Sequence, residues 1–196
     1  SIFSPMISVV MVCVSLLICI GCHRAEQDVS SQMATSAHYV GRETCRPCHE
    51  NIYAQYTGSD HDLAMDFATD ETVLGDFNNA SFNHLGVISK FYKRDGKFFV
   101  FIEGFKGKFQ EFAIKYTFGF RPLQQYLVEF PDGRLQTLPL CWDTRLKEQG
   151  GQRWFHLSPN EEIRHNDILH WTKPNQNWNF MCAECHSTGA AKNYDA

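Results

Sequence analysis

Hydrophobic and polar positions divide the 196-residue chain into stretches with different patterns. Residues 5–22 are predominantly apolar and carry no charge, whereas residues 23–38 are polar and show no apolar period. Residues 82–142 are rich in aromatic and β-branched side chains, interrupted by Gly, Pro and Asp. Residues 148–181 combine Gly, Pro, Asn, His and Trp with little periodicity. The patterns predict an apolar leader, a flexible tether over 23–38, a β-rich stretch and a long irregular segment.

The apolar leader ends as a signal peptide does. Small and polar residues, 21–28, follow the apolar run at once, and the run is at the lower edge of the length that crosses a bilayer. Gly21-Cys22 resembles the lipobox of bacterial lipoproteins, in which the cysteine is lipidated, although Cys19 stands where Leu is usual. We therefore expect residues 1–22 to be a signal peptide of lipoprotein type that is lipidated at Cys22. Ordinary signal cleavage and a retained transmembrane anchor are the alternatives.

The β-rich stretch predicts an antiparallel sheet of four or five strands. Asp95-Gly96 is its clearest hairpin turn, because this pair tolerates the positive φ angles of a two-residue turn. The predicted strands are residues 87–93, 98–103, 110–117, 125–130 and 135–142.

Two further segments flank the predicted sheet. Ile52 and Tyr56 are four residues apart and Gly58 follows, which predicts a short helix over 50–57. Long irregular segments are uncommon unless functional, and wrapping a cofactor is one such function. The aromatic residues that would cover such a cofactor, or else belong to an ordinary core, are Trp154, Phe155, Trp171, Trp178 and Phe180.

The strongest chemical signal is a repeated Cys-x-x-Cys-His motif. It occurs at residues 45–49 and again at 182–186, and random placement of 8 Cys and 9 His would give roughly 0.01 copies. The motif is typical of covalent haem attachment, in which each thiol adds to one vinyl group of the porphyrin and the histidine ligates the iron. The haem-binding residues predicted in this way are Cys45, Cys48, His49, Cys182, Cys185 and His186.

Two other readings of the four cysteines stay open. A zinc or iron–sulfur site uses paired cysteines, but 133 residues separate Cys48 from Cys182 and neither site explains the two histidines. Disulfide hairpins of an exported protein are the second alternative. With Cys13 and Cys19 in the leader and Cys22 lipidated, haem attachment leaves only Cys141 unassigned, so no structural disulfide is required.

The distal side of each iron is the open question about the site. His on both sides suits electron transfer at low potential, Met raises the potential, and an empty position permits substrate chemistry. Met65 is the one methionine worth considering, since Met33 lies in the tether and Met181 adjoins Cys182. The net charge of −4, without a basic stripe, makes nucleic acid an improbable partner.

The motifs and their surroundings resemble the multihaem cytochrome c family, in particular the branch with tetratricopeptide repeats after the haem region. The likeness covers the chain from residue 39 onward. It rests on five stretches in addition to the first motif: residues 59–65, 116–119, 122–128, 149–156 and 177–188. In such cytochromes a Ser-x-His soon after the first motif commonly supplies a distal ligand, so the resemblance implies this role for His61, toward its own haem or a neighbouring one. For the second haem we favour His170, followed by His84 or His156.

The end of the chain departs from that family. Its members continue with more haem motifs and then helical repeats, whereas this sequence stops at Ala196, begins at Ser1 and contains no visible repeat. We therefore expect a partial sequence, with a further haem or distal ligand in the absent part.

Together these observations predict an α+β fold in which short haem-bearing helices and loops surround an inserted antiparallel sheet, with much irregular structure. The expected multihaem cytochrome domain spans 39–196, with a first haem region at 39–70, the β-rich insertion at 82–142 and a second haem region at 148–196. The leading functional hypothesis is an exported, periplasmic, lipid-anchored carrier that exchanges electrons with redox partner proteins through two haems c. The alternatives are a haem enzyme acting on nitrite or hydroxylamine and a repeat-containing scaffold with accessory haems.

Overall fold

The computed structural model describes residues 38–188 and residue 190. The chain divides into two compact units, residues 1–45 and 46–196. The described part of the first unit contains one 3-10 turn, Arg42–Thr44, in which no residue is buried. The predicted signal peptide, most of the tether and the lipidation site Cys22 lie outside the described residues. Among the described residues, no helix is long and apolar enough to cross a membrane.

The second unit is built on one antiparallel sheet of nine strands. The path of neighbouring strands runs β2-β3-β4-β5-β6-β8-β9, while β1 pairs with β5 and β7 pairs with β6. The strands are β1 (Met65–Phe67), β2 (Ala80–His84), β3 (Val87–Arg94), β4 (Lys97–Glu103), β5 (Phe109–Phe118), β6 (Leu123–Glu129), β7 (Leu135–Thr137), β8 (Leu140–Asp143) and β9 (Arg153–His156).

The β3–β4 hairpin confirms the turn predicted at Asp95-Gly96. Both residues have positive φ, 51° and 73°, as a tight hairpin turn with the twist of its strands requires. Alternation along β4 buries Phe98, Val100 and Ile102 on one face, because successive side chains of a strand point to opposite faces.

The sheet has a different apolar cluster on each face of β6. Tyr126 and Val128 belong to the main core, whereas Leu127, between them, belongs to the second cluster. The main core also contains the rings of Phe77, Phe91, Trp142, Trp154 and Trp171. The second cluster consists of Leu127, Trp178 and Ala183 with the partly buried Met65, Tyr116, Phe118, Leu135 and Cys182. The two clusters are therefore separated by the sheet itself.

The first and last strands of the sheet path meet through two histidines. The rings of His84 in β2 and His156 in β9 are parallel, with centroids 3.8 Å apart and an interplanar angle of 2°. The sheet is thus curled until it is nearly closed, and we call this contact the histidine seam.

Helical structure in the described part of the chain is confined to short pieces. The α-helices are α1 (Glu50–Tyr56), α2 (Trp178–Met181) and α3 (Ala183–His186), and 3-10 turns occur at Phe105–Gly107, Lys147–Gln149 and Pro174–Gln176. Helix α1 confirms the helix predicted over 50–57, and Gly58 follows it with a φ of +75°.

The predicted fold class is wrong. We expected haem-bearing helices and loops around an inserted sheet of four or five strands, but the nine-stranded sheet is the body of the described structure. It starts at Met65, inside the predicted first haem region, and ends at His156, inside the predicted second one. The three α-helices of the described residues have only seven, four and four residues, so they are attachments to the sheet and do not form a layer of their own.

Candidate cofactor attachment sites

The second Cys-x-x-Cys-His motif forms a single helical turn. The N–H groups of Cys185 and His186 donate to the carbonyl oxygen of Cys182 at 3.2 and 3.1 Å. Residues three and four apart on a helix share a face, so Cys182, Cys185 and His186 are neighbours on one side of the turn. This is the arrangement that two covalent bonds and one axial ligand to the same planar group require.

The turn is held in place by the segment before it. The side-chain oxygen of Asn177 accepts from the Phe180 N–H at 2.9 Å and caps α2. Trp178 and Ala183 are buried in the second cluster, and they anchor α2 and α3 to the sheet. The His186 ring stands edge-on to Phe118 of β5, with centroids 5.0 Å apart and an interplanar angle of 83°.

The thiols of the second motif differ in their surroundings. Cys185 is exposed and Cys182 is half-buried. Burial raises the pKa of Cys182, and the neighbouring Cys185 contributes in the same direction, so its sulfur is a neutral thiol at neutral pH. Cys141, which the motifs leave unassigned, is completely buried in β8, and burial raises its pKa to about 12. It is therefore an unreactive core residue.

The first motif leads into helix α1. Cys48 and His49 are exposed, the His49 N–H donates to the Arg46 carbonyl at 3.2 Å, and the His49 carbonyl accepts from the first turn of α1. A groove of about 390 Å³ runs beside residues 47–52. Cys45 belongs to the first unit, where it is exposed and follows the 3-10 turn.

Helix α1 has an apolar side that is largely exposed. None of its seven residues is buried, and Ile52 and Tyr56, which share a face, are 65% and 43% exposed. Isolated helices of fewer than about 12 residues are marginal in water. The second motif also has exposed apolar surface next to it, because Phe180 and Met181 are 59% and 54% exposed.

His61 projects from a turn that is fixed at several points. Asp62 accepts from the Gly58 N–H at 2.9 Å, and Asp60 pairs with Arg121, whose Nε lies 3.0 Å from the carboxylate. The Ala64 carbonyl accepts from the N–H of Gly119, the residue after Phe118. The turn therefore lies at the end of β5 that also contacts His186.

The candidate ligand histidines differ in whether their ring nitrogens form hydrogen bonds. Among the described residues, no hydrogen bond is made by the ring nitrogens of the three foremost ligand candidates, His49, His61 and His186. His84, His156 and His170, our other candidates for a distal position, each use one ring nitrogen in a hydrogen bond.

The structure brings His84, His156 and His170 together, but away from His186. All three line a cavity of about 70 Å³ that also includes the main-core residues Leu140 and Trp171. His186 lies against Phe118 in the second cluster, across the sheet from the main core. Their assignment as distal ligands stays a prediction, and no described contact links them to either motif.

Sequence reasoning missed several residues of these sites. Phe118 lies 68 positions before His186, and nothing in the local pattern marks the contact. Trp178 carries a buried indole N–H without a hydrogen-bond partner in the described part of the chain. Within the described residues, no group of three or more His, Cys, Asp or Glu side chains is placed to hold a metal ion.

Comparisons with known proteins do not assign the chain to a family. No family model, no curated protein and no solved structure matches it.

Proposed function

We propose that the protein is an exported c-type multihaem cytochrome that carries electrons through two covalently attached haems. The observation that carries the proposal is the second motif, where one helical turn places Cys182, Cys185 and His186 on the same side. Two thiols and an imidazole in this order suit a porphyrin with two vinyl groups and a central iron. When bound, haem supplies a one-electron redox centre.

The surroundings of both motifs fit an apolar, planar group. Ile52 and Tyr56 on α1 would be covered by a haem attached through the first motif, and Phe180 and Met181 by one attached through the second. Covering this apolar surface contributes roughly 25 cal/mol per Å². The contribution explains how so short a helix as α1 is kept in place.

Trp178 offers a polar anchor beside the second motif. Its buried N–H has no acceptor among the described residues, and its ring contacts Phe118, with centroids 6.5 Å apart. A buried donor of this kind calls for a partner, and the propionate carboxylates of haem are acceptors.

His61 is our candidate for the distal ligand of the second haem. It lies on the turn that is tied to Gly119 and Arg121, beside the strand end that packs against His186. Its exposed ring has no competing hydrogen bond among the described residues. A second imidazole would give the low-spin, low-potential iron of an electron carrier.

Electron exchange with partner proteins requires a cofactor near the surface. Cys48, His49, Cys185 and His186 are all exposed, so a haem held by either motif would lie at the boundary with solvent. Export and lipid anchoring through residues 1–22 belong to the same proposal, because haem is attached by this chemistry on the exported side of bacterial membranes.

The proposal is tested by removing the thiols of one motif. Cys182→Ser with Cys185→Ser, in the exported protein made with haem-attachment machinery, should lower the covalent haem content from two to one. The matched control is Cys141→Ser, which changes a cysteine outside both motifs and should leave the content at two. Equal haem content in the motif variant and the control would refute the attachment site.

The enzyme alternative differs from the carrier in the coordination of its haem iron. A nitrite- or hydroxylamine-converting haem needs an open coordination position, which gives a high-spin signal in the unmodified protein. A purely low-spin spectrum, together with no reaction with either compound, supports the carrier.

A further inference from the structure

The cavity lined by His84, His156 and His170 is separate from both haem motifs. It lies on the main-core side of the sheet, where the histidine seam joins β2 to β9, and the segment after β9 covers it. Its volume of about 70 Å³ is below the roughly 150 Å³ that accommodates benzene, so it suits a molecule of about three or four non-hydrogen atoms.

Hydrogen bonds decide which nitrogen of His84 carries the proton. Nε2 of His84 lies 3.0 Å from the carbonyl oxygen of Glu161. A carbonyl only accepts, so Nε2 carries a proton, and in the neutral form of the ring Nδ1 keeps a lone pair.

His156 has the opposite arrangement. Its Nδ1 lies 3.0 Å from the backbone N of Ser158 and 3.1 Å from the carbonyl oxygen of the same residue. That carbonyl already accepts from the Glu161 N–H at 3.3 Å, whereas the Ser158 N–H has no other acceptor among the described residues. Satisfying this N–H makes Nδ1 the acceptor, which leaves the proton on Nε2.

His170 repeats the pattern two residues before Thr172. The Thr172 hydroxyl lies 2.9 Å from Nδ1 of His170, and the Thr172 N–H donates to the same nitrogen at 3.4 Å. His156 and His170 therefore each keep an Nε2–H donor, and His84 keeps an Nδ1 acceptor.

The cavity favours an uncharged ligand. Burial lowers the pKa of His156 to about 4, with His84 contributing, and burial lowers the pKa of His170 as well. Both rings are neutral in this arrangement, because Nδ1 of each accepts a backbone N–H hydrogen bond and so keeps its lone pair. Neither Lys nor Arg lines the cavity, and its one carboxylate, Glu103, already accepts from Arg164 and from the His165 N–H.

The remaining walls are apolar and reach solvent. Leu140, Ile102 and Trp171 line the inner part, while Leu157 and Leu169, which are 47% and 44% exposed, lie at the entrance. A concave apolar pocket with a few polar groups is the usual form of a small-molecule site.

We propose that this cavity binds a small uncharged molecule through a hydroxyl group, of the short-chain alcohol class. A hydroxyl accepts two hydrogen bonds and donates one, which complements two N–H donors and one lone pair. The apolar wall takes the carbon chain.

The test uses the unmodified protein and the probe 1-propanol. We expect saturable changes in the ¹⁵N and ¹³C signals of the His156 and His170 imidazoles, with 1-fluoropropane, of the same shape but without the hydroxyl, binding at least about threefold more weakly. His170→Phe should weaken 1-propanol binding about threefold to tenfold. The control is Phe109→Leu, at a 44% exposed residue outside the cavity lining, which should leave binding unchanged.

Each contrary outcome overturns the proposal. No saturable change with 1-propanol would mean that the cavity holds only water. Equal binding of 1-fluoropropane would remove the hydroxyl from the recognition, and tighter binding of acetate or Zn²⁺ at the same imidazoles would replace the ligand class. The experiment on the unmodified protein decides the matter even if His170→Phe does not fold.

Discussion

The histidine seam predicts a loss of stability in mild acid. His156 is only 9% exposed, and its ring is stacked on His84 at the junction of β2 and β9. Burial lowers the pKa of His156 from 6.5 to about 4, and the proximity of His84 adds to the shift. The folded chain therefore binds this proton less readily than the unfolded chain does.

The sign and size of the effect follow from linkage. Between pH 6.5 and pH 4 the unfolded state binds more protons at this residue, so the free energy of unfolding falls as the pH falls. The stabilisation is fully present above pH 6.5 and is lost by the time the pH passes below 4. A difference of about 2.5 pKa units corresponds to about 3 kcal/mol, at 1.36 kcal/mol per unit. This is a large part of the 5–15 kcal/mol that typically stabilises a domain.

Denaturant unfolding at a series of pH values measures this loss. His156→Phe keeps a ring against His84 but cannot be protonated, so its free energy of unfolding should vary by about 3 kcal/mol less than that of the unmodified protein between pH 7 and pH 4. His165→Phe is the control, since His165 is partly exposed beside Glu103, and it should keep the steep dependence. Equal pH dependence of the unmodified protein and His156→Phe would refute the role of the seam.

Three further outcomes are expected. His61→Ala should convert one haem from low to high spin in the absorbance spectrum, and an unchanged spectrum would remove His61 from the ligands. Trp178→Phe should destabilise the haem-loaded protein by about 1 kcal/mol more than Trp142→Phe does, because both changes remove part of a buried ring and an indole N–H without a described partner, but only Trp178 would lose a hydrogen bond to haem; equal effects in denaturant unfolding would contradict the propionate contact. Leu127→Ala, at a completely buried site of the second cluster, should cost about 2–5 kcal/mol, and a cost below 1 kcal/mol would show that the cluster is loosely packed.

The sequence pattern predicted the central hairpins well. Strands β3 and β4 alternate clearly and are joined by Asp95-Gly96, so local information is sufficient there. The predicted strand over 135–142 is in fact two strands, because Pro139 has no N–H to donate and separates β7 from β8.

The sequence pattern does not predict strands β1, β2 and β9, for physical reasons. β1 has only three residues, and β2 contains no β-branched side chain. β9 lies in a stretch rich in Gly and Asn, whose pattern predicts irregular chain. These strands are stabilised by partners distant in sequence, such as the pairing of Met65 with Phe118, which a local pattern does not contain.

The candidate sites also differ in whether local sequence is sufficient to predict them. The Cys-x-x-Cys-His motifs are local, and the single turn at Cys182 is what their spacing suggests. The cavity formed by His84, His156 and His170 depends on strand order and on the covering segment, so no spacing rule reveals it. Its one local sign is a pair of histidines that are each followed two residues later by Ser158 or Thr172.

Peptide mass spectrometry of the exported protein shows directly whether haem is attached at both motifs. After proteolysis, the peptides containing residues 45–49 and 182–186 should each carry the mass of one haem, bound through both cysteines of the motif. Recovery of both peptides with free thiols, with an internal disulfide or with zinc retained in place of haem, from cells that attach haem to a known cytochrome c, would rule out covalent haem attachment at these motifs.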